Sequence, residues 1–409
     1  MWCPGNTWTV HSSEELQSPE VPSSFTGVLL VGSLVVAMVW ANLSPSTYLA
    51  VVHHHLEFPV STITPLHTVQ EWINNGLMAI FFLGVGLEIG FERRHGSLQH
   101  RDAALLPIIA ALGGMAGAAI SFTATVGVLG GSSHLLGGWG IPMATDIAFA
   151  LAALQVLGAR IPSELRAFVL ALAVADDIFA VIVLGITASS TITITAAAVS
   201  LGLVGVIVLL RRSVKARWPY VLMTAALWLA MAIAGIEPIL AGVLCGVLVP
   251  TADDPRLLAT AERLEVPTAA LASAVVLPLF VFANTGVTFT SSTFAGHRVA
   301  VVVVAIVVAR TIGKVIGITA AVALTVRLGL GRLLPSIHRR HLIGAAILCG
   351  VGFTVPLLFA DVQFGTDPGL VTATKVGLLI GSLIDLAVGV VILTIRPRGA
   401  SPAGVANLH

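Results

Sequence analysis

The sequence is a succession of long apolar runs joined by short connections, and that pattern limits what it can fold into. A helical membrane span needs about 20 mostly apolar residues. Inside hydrocarbon every backbone polar group must be satisfied internally, which leaves helices or a closed barrel. The runs here are continuous and do not alternate, so they describe helices and not barrel strands. Composition agrees: 56% of the 409 residues are hydrophobic and 10% are charged, whereas a soluble domain carries about 25% charge. A soluble enzyme, a disordered chain and a disulfide scaffold are excluded. A net charge of +1 offers nothing to nucleic acid. Cys3, Cys245 and Cys349 are odd in number and far apart, so they read as free thiols and not as a metal framework.

Apolar windows place twelve spans near 25–43, 73–90, 103–129, 142–159, 165–188, 191–210, 219–235, 237–250, 267–286, 299–326, 341–361 and 369–395. The basic residues test that count, because Lys and Arg collect in cytoplasmic loops. Arg93, Arg94 and Arg101 follow span two; Arg160 and Arg166 follow span four. Arg211, Arg212, Lys215 and Arg217 follow span six, and Arg256 and Arg263 follow span eight. Arg327, Arg332, Arg339 and Arg340 follow span ten; Arg396 and Arg398 follow span twelve. The opposite loops hold only Arg298, and Arg310, Lys314 and Lys375 fall within or beside spans, which completes the 21 basic residues. Both termini are therefore expected in the cytoplasm.

The chain divides into a polar segment 1–24, a single twelve-span membrane domain 25–395 and a tail 396–409. Residues 1–24 contain no Lys or Arg, so the first span reads as a retained anchor and not as a cleaved signal. The external loop 44–72 is the longest. Its Val51-Val52-His53-His54-His55 and Val60-Ser61-Thr62-Ile63-Thr64 runs suggest short strands. The three histidines read as a solvated loop face in preference to a metal site.

Charge inside a span costs about 2.5–3.5 kcal/mol on insertion scales, so it marks function by default. Span five carries Asp176-Asp177 at its centre. Successive helical residues point about 100° apart, so one carboxylate lines an ion path while the other meets a neighbouring helix. Span four has Pro142, Thr145 and Asp146 together, and span eleven has Gly350, Gly352, Thr354 and Pro356. Pro and Gly weaken helix at both places, and unwound backbone is tolerated in a membrane only when protein or a cavity surrounds it. Paired interruptions in two halves of a chain point to a transporter's binding site. Span ten supplies Lys314, which a span-five carboxylate would hold charged. Arg310, one turn earlier, either snorkels or pairs elsewhere. Gly113-x-x-x-Gly117 and Gly377-x-x-x-Gly381 read as close helix packing.

These residues resemble the NhaA-type sodium/proton antiporters over about 25–393. The resemblance rests on Trp72-Ile73-Asn74 with Phe81-Phe82-Leu83-Gly84-Val85-Gly86-Leu87-Glu88, and on Ala144-Thr145-Asp146-Ile147-Ala148-Phe149-Ala150-Leu151. It continues in Ala173-Val174-Ala175-Asp176-Asp177, Ile312-Gly313-Lys314 and Leu348-Cys349-Gly350-Val351-Gly352-Phe353-Thr354. It implies an all-α polytopic protein of about twelve helices with an inverted repeat, core repeats 103–188 and 299–395, an interface part 25–90 and 191–286, and broken spans four and eleven crossing at mid-membrane. It implies Asp177 as principal ligand of Na⁺, Asp176 as its neighbour and as the partner of Lys314, and Asp146 and Thr145 at the crossing with Pro142, Gly350, Gly352 and Thr354. Glu88 and Glu265 match acidic residues of the cytoplasmic funnel linked to pH response, and Glu237 stands where a histidine linked to that response is common. Gly90 and Phe91 replace a common basic pair. Asp361 and Asp385 are additional carboxylates, the latter able to pair with Lys375 or Arg310.

The implied function is electrogenic, pH-regulated exchange of Na⁺ or Li⁺ for protons in a bacterial inner membrane. The implied form is a homodimer through loop 44–72, without cofactor or nucleic acid. A sodium-coupled solute symporter of related fold is the alternative. An intramembrane aspartyl protease lacks its Tyr-Asp and Gly-x-Gly-Asp contexts, and no channel filter motif is visible.

Overall fold

The computed structural model describes residues 23–56, 66–95, 101–146, 149–150, 153–154, 157, 161–188, 193–211, 213, 216–249, 255–288, 296–331 and 337–395. Among these residues nearly all regular structure is helical. The elements are α1 (Ser23–Leu43), α2 (Pro45–Val52), α3 (69–95), α4 (Arg101–Val128), α5 (Ser163–Ala188), α6 (Ile194–Leu210) and α7 (Arg217–Ala234). They continue with α8 (Leu240–Leu248), α9 (255–285), α10 (297–327), α11 (Arg339–Leu348), α12 (Thr354–Phe364) and α13 (Pro368–Thr394). Among the described residues six helices are long and apolar enough to cross a membrane: Phe25–Leu43, Leu105–Val128, Glu164–Thr187, Arg263–Thr285, His297–Arg327 and Pro368–Thr394. Ile194–Leu210, Trp218–Ala234 and Thr354–Phe364 are shorter apolar helices. The protein is a multi-pass membrane protein.

Three helices contain π-helical turns, at Trp72–Leu77 in α3, Ala272–Val276 in α9 and Ala309–Lys314 in α10. Such turns loosen the regular ladder and recur at functional sites. The third carries both Arg310 and Lys314. Helix packing brings this turn to the site. On α4, a Cβ at Gly117 would lie 2.8 Å from Gly317 Cα of α10, so only glycine permits this approach. Gly377 of α13 packs on Ile306 and Val303 of α10 in the same manner, at 3.1–3.3 Å from its Cβ position.

Short helical turns at Ser133–Leu136 and Gly137–Gly140 lead into the fourth span. One expectation requires correction. The run Val51-Val52 is not a strand but the end of α2. Pro45 in its first turn is preorganised for helix, and Tyr48 anchors it, donating to Phe282 O at 2.7 Å. The two sides of the loop do meet just beyond α2, through an antiparallel bridge between His55 and Thr68 and a 2.8 Å bond from Leu56 N to His67 O. Val60–Thr64 lie outside the described residues. His53 is exposed and bonds Gln70 Oε1 at 3.1 Å, in keeping with a loop face.

Candidate functional site

α5 is a continuous helix of 26 residues, with Asp176 and Asp177 midway along it, 0% and 3% exposed. Two interrupted segments meet it. In the fourth span, turns at 141–143 give way to irregular backbone at 144–146, and helical bonding resumes with Ala150 N donating to Asp146 O at 3.1 Å. Pro142 lacks an N–H, which suits it to the interruption. In the eleventh span α11 ends at Leu348 and α12 begins at Thr354, leaving 349–353 between them. Thr354 is buried at the start of α12. The two unwound stretches touch: Asp146 N donates to Val351 O at 2.9 Å.

α10 closes the arrangement. Lys314 Nζ lies 2.7 Å from Asp176 Oδ2, and both side chains are fully buried. The same ammonium donates to Met143 O and, at 2.7 Å, to Thr145 Oγ1. The Thr145 hydroxyl in turn lies 2.6 Å from Asp176 Oδ2 and 2.8 Å from Cys349 O, and donates its one proton to either. One lysine thus ties span ten to spans four and five, and one threonine ties both to span eleven. A buried charge pair of this kind is tolerable only when its remaining valences are hydrogen-bonded, and the three donors of Lys314 are all used.

Asp177 points elsewhere. Its Oδ1 accepts no hydrogen bond among the described residues. The charges that act on it are Asp146, Asp176, Lys314 and Glu88. The structure therefore brings Asp146, Thr145, Asp176, Asp177, Lys314, Gly350 and Gly352 into one neighbourhood, with Glu88 of α3 facing it. Glu265 is half-buried on α9 and Glu237 lies in the connection between α7 and α8; neither is among the charges that act on Asp177.

Of the two alternatives left open for Arg310, it takes the second: it does not snorkel but is fully buried against the carbonyls of Gly350 and Gly352. Asp385 acts on Arg310, and Lys375 pairs electrostatically with Asp361. A second polar cluster joins α3, α9 and α12. Asn74 Nδ2 donates to Asn284 Oδ1 and to Asp361 Oδ2, each at 3.1 Å, and Asn284 Nδ2 returns a 2.7 Å bond to Asn74 Oδ1. Gln70 Nε2 adds a 2.9 Å bond to Asn284 Oδ1. The spacing of Gln70 and Asn74, one helical turn apart on a single face, is the sequence signal for it. Asn284→Ala is expected to cost about 1–3 kcal/mol, because it strands the buried Asn74 amide; denaturation of the variant in detergent measures it.

The chain is similar to proteins whose function is named. A family model described as Na+/H+ antiporter 1 matches residues 21–393. The Na(+)/H(+) antiporter NhaA of Sodalis glossinidius is 36% identical over 388 residues, covering 93% of this chain and 96% of its own. The Na(+)/H(+) antiporter NhaA 2 of Pseudomonas savastanoi pv. phaseolicola is 40% identical over 376 residues, covering 90% and 91%. Among solved structures, the sodium proton antiporter MjNhaP1 of Methanocaldococcus jannaschii covers 90% of this chain and 94% of its own at 14% identity and a TM-score of 0.47, a likeness too slight to carry an argument. With a family model spanning nearly the whole chain and relatives this similar end to end, the chain belongs to the Na+/H+ antiporter 1 family, a family of cation/proton transporters and not of enzymes.

Proposed function

We propose that this protein exports Na⁺, and Li⁺, in exchange for protons across a bacterial inner membrane. The observation that carries the reading is the buried Lys314–Asp176 pair at 2.7 Å, bridged by Thr145 to the unwound backbone of span eleven, with Asp177 beside it. Carboxylate oxygens suit a small hard cation. Protonation and cation ligation each neutralise a carboxylate withdrawn from water, so the two compete for the same oxygens. That competition is sufficient for antiport. With the site open inward, Na⁺ displaces protons from Asp177 and its neighbours. Lys314 leaves Asp176 as the cation enters, freeing that carboxylate to ligate. Movement of the bundle that carries the site then exposes it outward, where protons expel Na⁺, and the protonated form returns.

The same reading supplies the architecture: twelve spans, an inverted repeat of 103–188 and 299–395, broken spans four and eleven, and an interface part 25–90 and 191–286. Both termini lie in the cytoplasm, two copies associate through loop 44–72, and the funnel residues Glu88 and Glu265 set the pH response. More protons than cations move per cycle, so the membrane potential contributes about 2.3 kcal/mol per net charge per 100 mV. The solute symporter is disfavoured because the family and the relatives are named as Na+/H+ antiporters.

A pH-gradient dequenching assay in everted vesicles, with Na⁺, Li⁺ and K⁺ added in turn across a pH range, tests the proposal. Na⁺ and Li⁺ are expected to collapse the gradient. A gradient that neither ion disturbs at any pH would overturn the reading.

A further inference from the structure

The unwound stretch of span eleven shares out its carbonyls in alternation. Cys349 O receives the Thr145 hydroxyl at 2.8 Å, and Val351 O receives Asp146 N at 2.9 Å. The intervening Gly350 O receives Arg310 Nε, at 2.5 Å, together with Nη2, and Gly352 O receives Nη1 at 2.9 Å. The carbonyls of Cys349 and Val351 thus bond span four, and those of Gly350 and Gly352 bond span ten. The next carbonyl, Phe353 O, already accepts from Leu357 N within α12. Three of the four carbonyls at 349–352 have a donor of their own, two of them from a single guanidinium, and Cys349 O shares the Thr145 proton with Asp176 Oδ2.

Arg310 is 0% exposed and among the largest fully buried side chains. Its planar fork donates in fixed directions, which a lysine ammonium cannot reproduce. Two carboxylates act electrostatically on it, Asp385 of α13 first and then Asp146; Asp385 is 1% exposed and lies so close to Gly350 that a Cβ there would overlap its carboxylate. Neither Asp385 oxygen has a hydrogen-bond partner among the described residues, so the carboxylate is placed for charge and not for a bond.

We propose that Arg310 is a positioning residue for ion exchange: it clamps Gly350 O and Gly352 O, so that Cys349 O and Val351 O are held toward Thr145 and Asp146, with Asp385 supplying the balancing charge. The inference rests on the antiport reading above. Its consequence runs through Thr145, which touches Cys349 O, Asp176 and Lys314 at once. If the stretch shifts, that hydroxyl shifts, and the Lys314–Asp176 pairing that competes with Na⁺ changes strength.

The test compares Arg310→Lys, Arg310→Gln, Asp385→Asn and the double variant Arg310→Gln/Asp385→Asn, for Na⁺ exchange in proteoliposomes and for melting temperature. Arg310→Lys keeps the charge and loses the fork; it is expected to raise the KM for Na⁺ by about tenfold, equivalent to ~1.4 kcal/mol, and to shift the pH profile. The double variant removes both members of the Arg310–Asp385 pair, so its melting temperature is expected to recover relative to either neutralising single variant. Its KM is expected to stay raised, because Gly350 O and Gly352 O remain unclamped. Wild-type KM and pH profile in Arg310→Lys would overturn the proposal. So would a double variant that recovers stability and KM together, for Arg310 would then serve only to balance Asp385. Asp177→Asn is the control for the underlying reading: exchange surviving there overturns antiport at these carboxylates. Wild-type KM in Arg310→Lys beside an inactive Asp177→Asn overturns the clamp alone.

Discussion

Asp177→Asn is expected to abolish Na⁺-dependent proton movement while the protein still inserts and folds. The amide occupies nearly the volume of the carboxylate and removes one of the three neighbouring acidic groups Asp146, Asp176 and Asp177, so nothing in the packing is lost. What disappears is the ability to exist in two forms, protonated or cation-bound. Dequenching in everted vesicles is expected to fall to the level of vesicles without the protein, with the melting temperature kept or raised. Exchange at the wild-type rate in this variant would remove Asp177 from the proposed mechanism.

Lys314→Ala is expected to have the largest effect on stability. The ammonium makes an ion pair with Asp176 and donates to Met143 O and Thr145 Oγ1, all in a fully buried setting. Removing one partner of a buried pair leaves the other uncompensated, at a cost of about 3–5 kcal/mol. The melting temperature in detergent should fall sharply, and Lys314→Ala/Asp176→Asn should recover much of the loss because the stranded carboxylate is then gone. Equal destabilisation in the single and double variants would contradict the pairing. Exchange in Lys314→Ala should also shift its pH dependence, since the cation no longer has an internal competitor at Asp176.

How far the sequence reveals this arrangement depends on what each signal measures. Mid-span charges are legible because hydrocarbon penalises them wherever the helix faces, so Asp176, Asp177 and Lys314 stand out before any contact is known. Pro142 and the Gly350/Gly352 pair are legible because their backbone chemistry is local. Arg310 was not legible in the same way: whether a buried arginine snorkels or binds depends on the direction of its helix face, and the Ala309–Lys314 π turn helps set that direction. The Asn74–Asn284–Asp361 cluster joins residues 210 and 287 positions apart, a separation that no local pattern encodes. The Val51-Val52 run misled because β-branched residues favour strand in general, whereas the Pro45 start and the Tyr48 anchor fix helix at this position.

The mechanism turns on one seat shared by two ions, and proton release on cation binding measures that sharing most directly. Purified protein in weakly buffered detergent solution is titrated with NaCl near the midpoint of its activity profile while the pH is followed, with choline chloride as the ionic-strength control. Protons are expected to leave as Na⁺ enters, and the apparent Na⁺ affinity to weaken as the starting pH is lowered. Na⁺ binding with no proton released, at an affinity indifferent to pH, would contradict it.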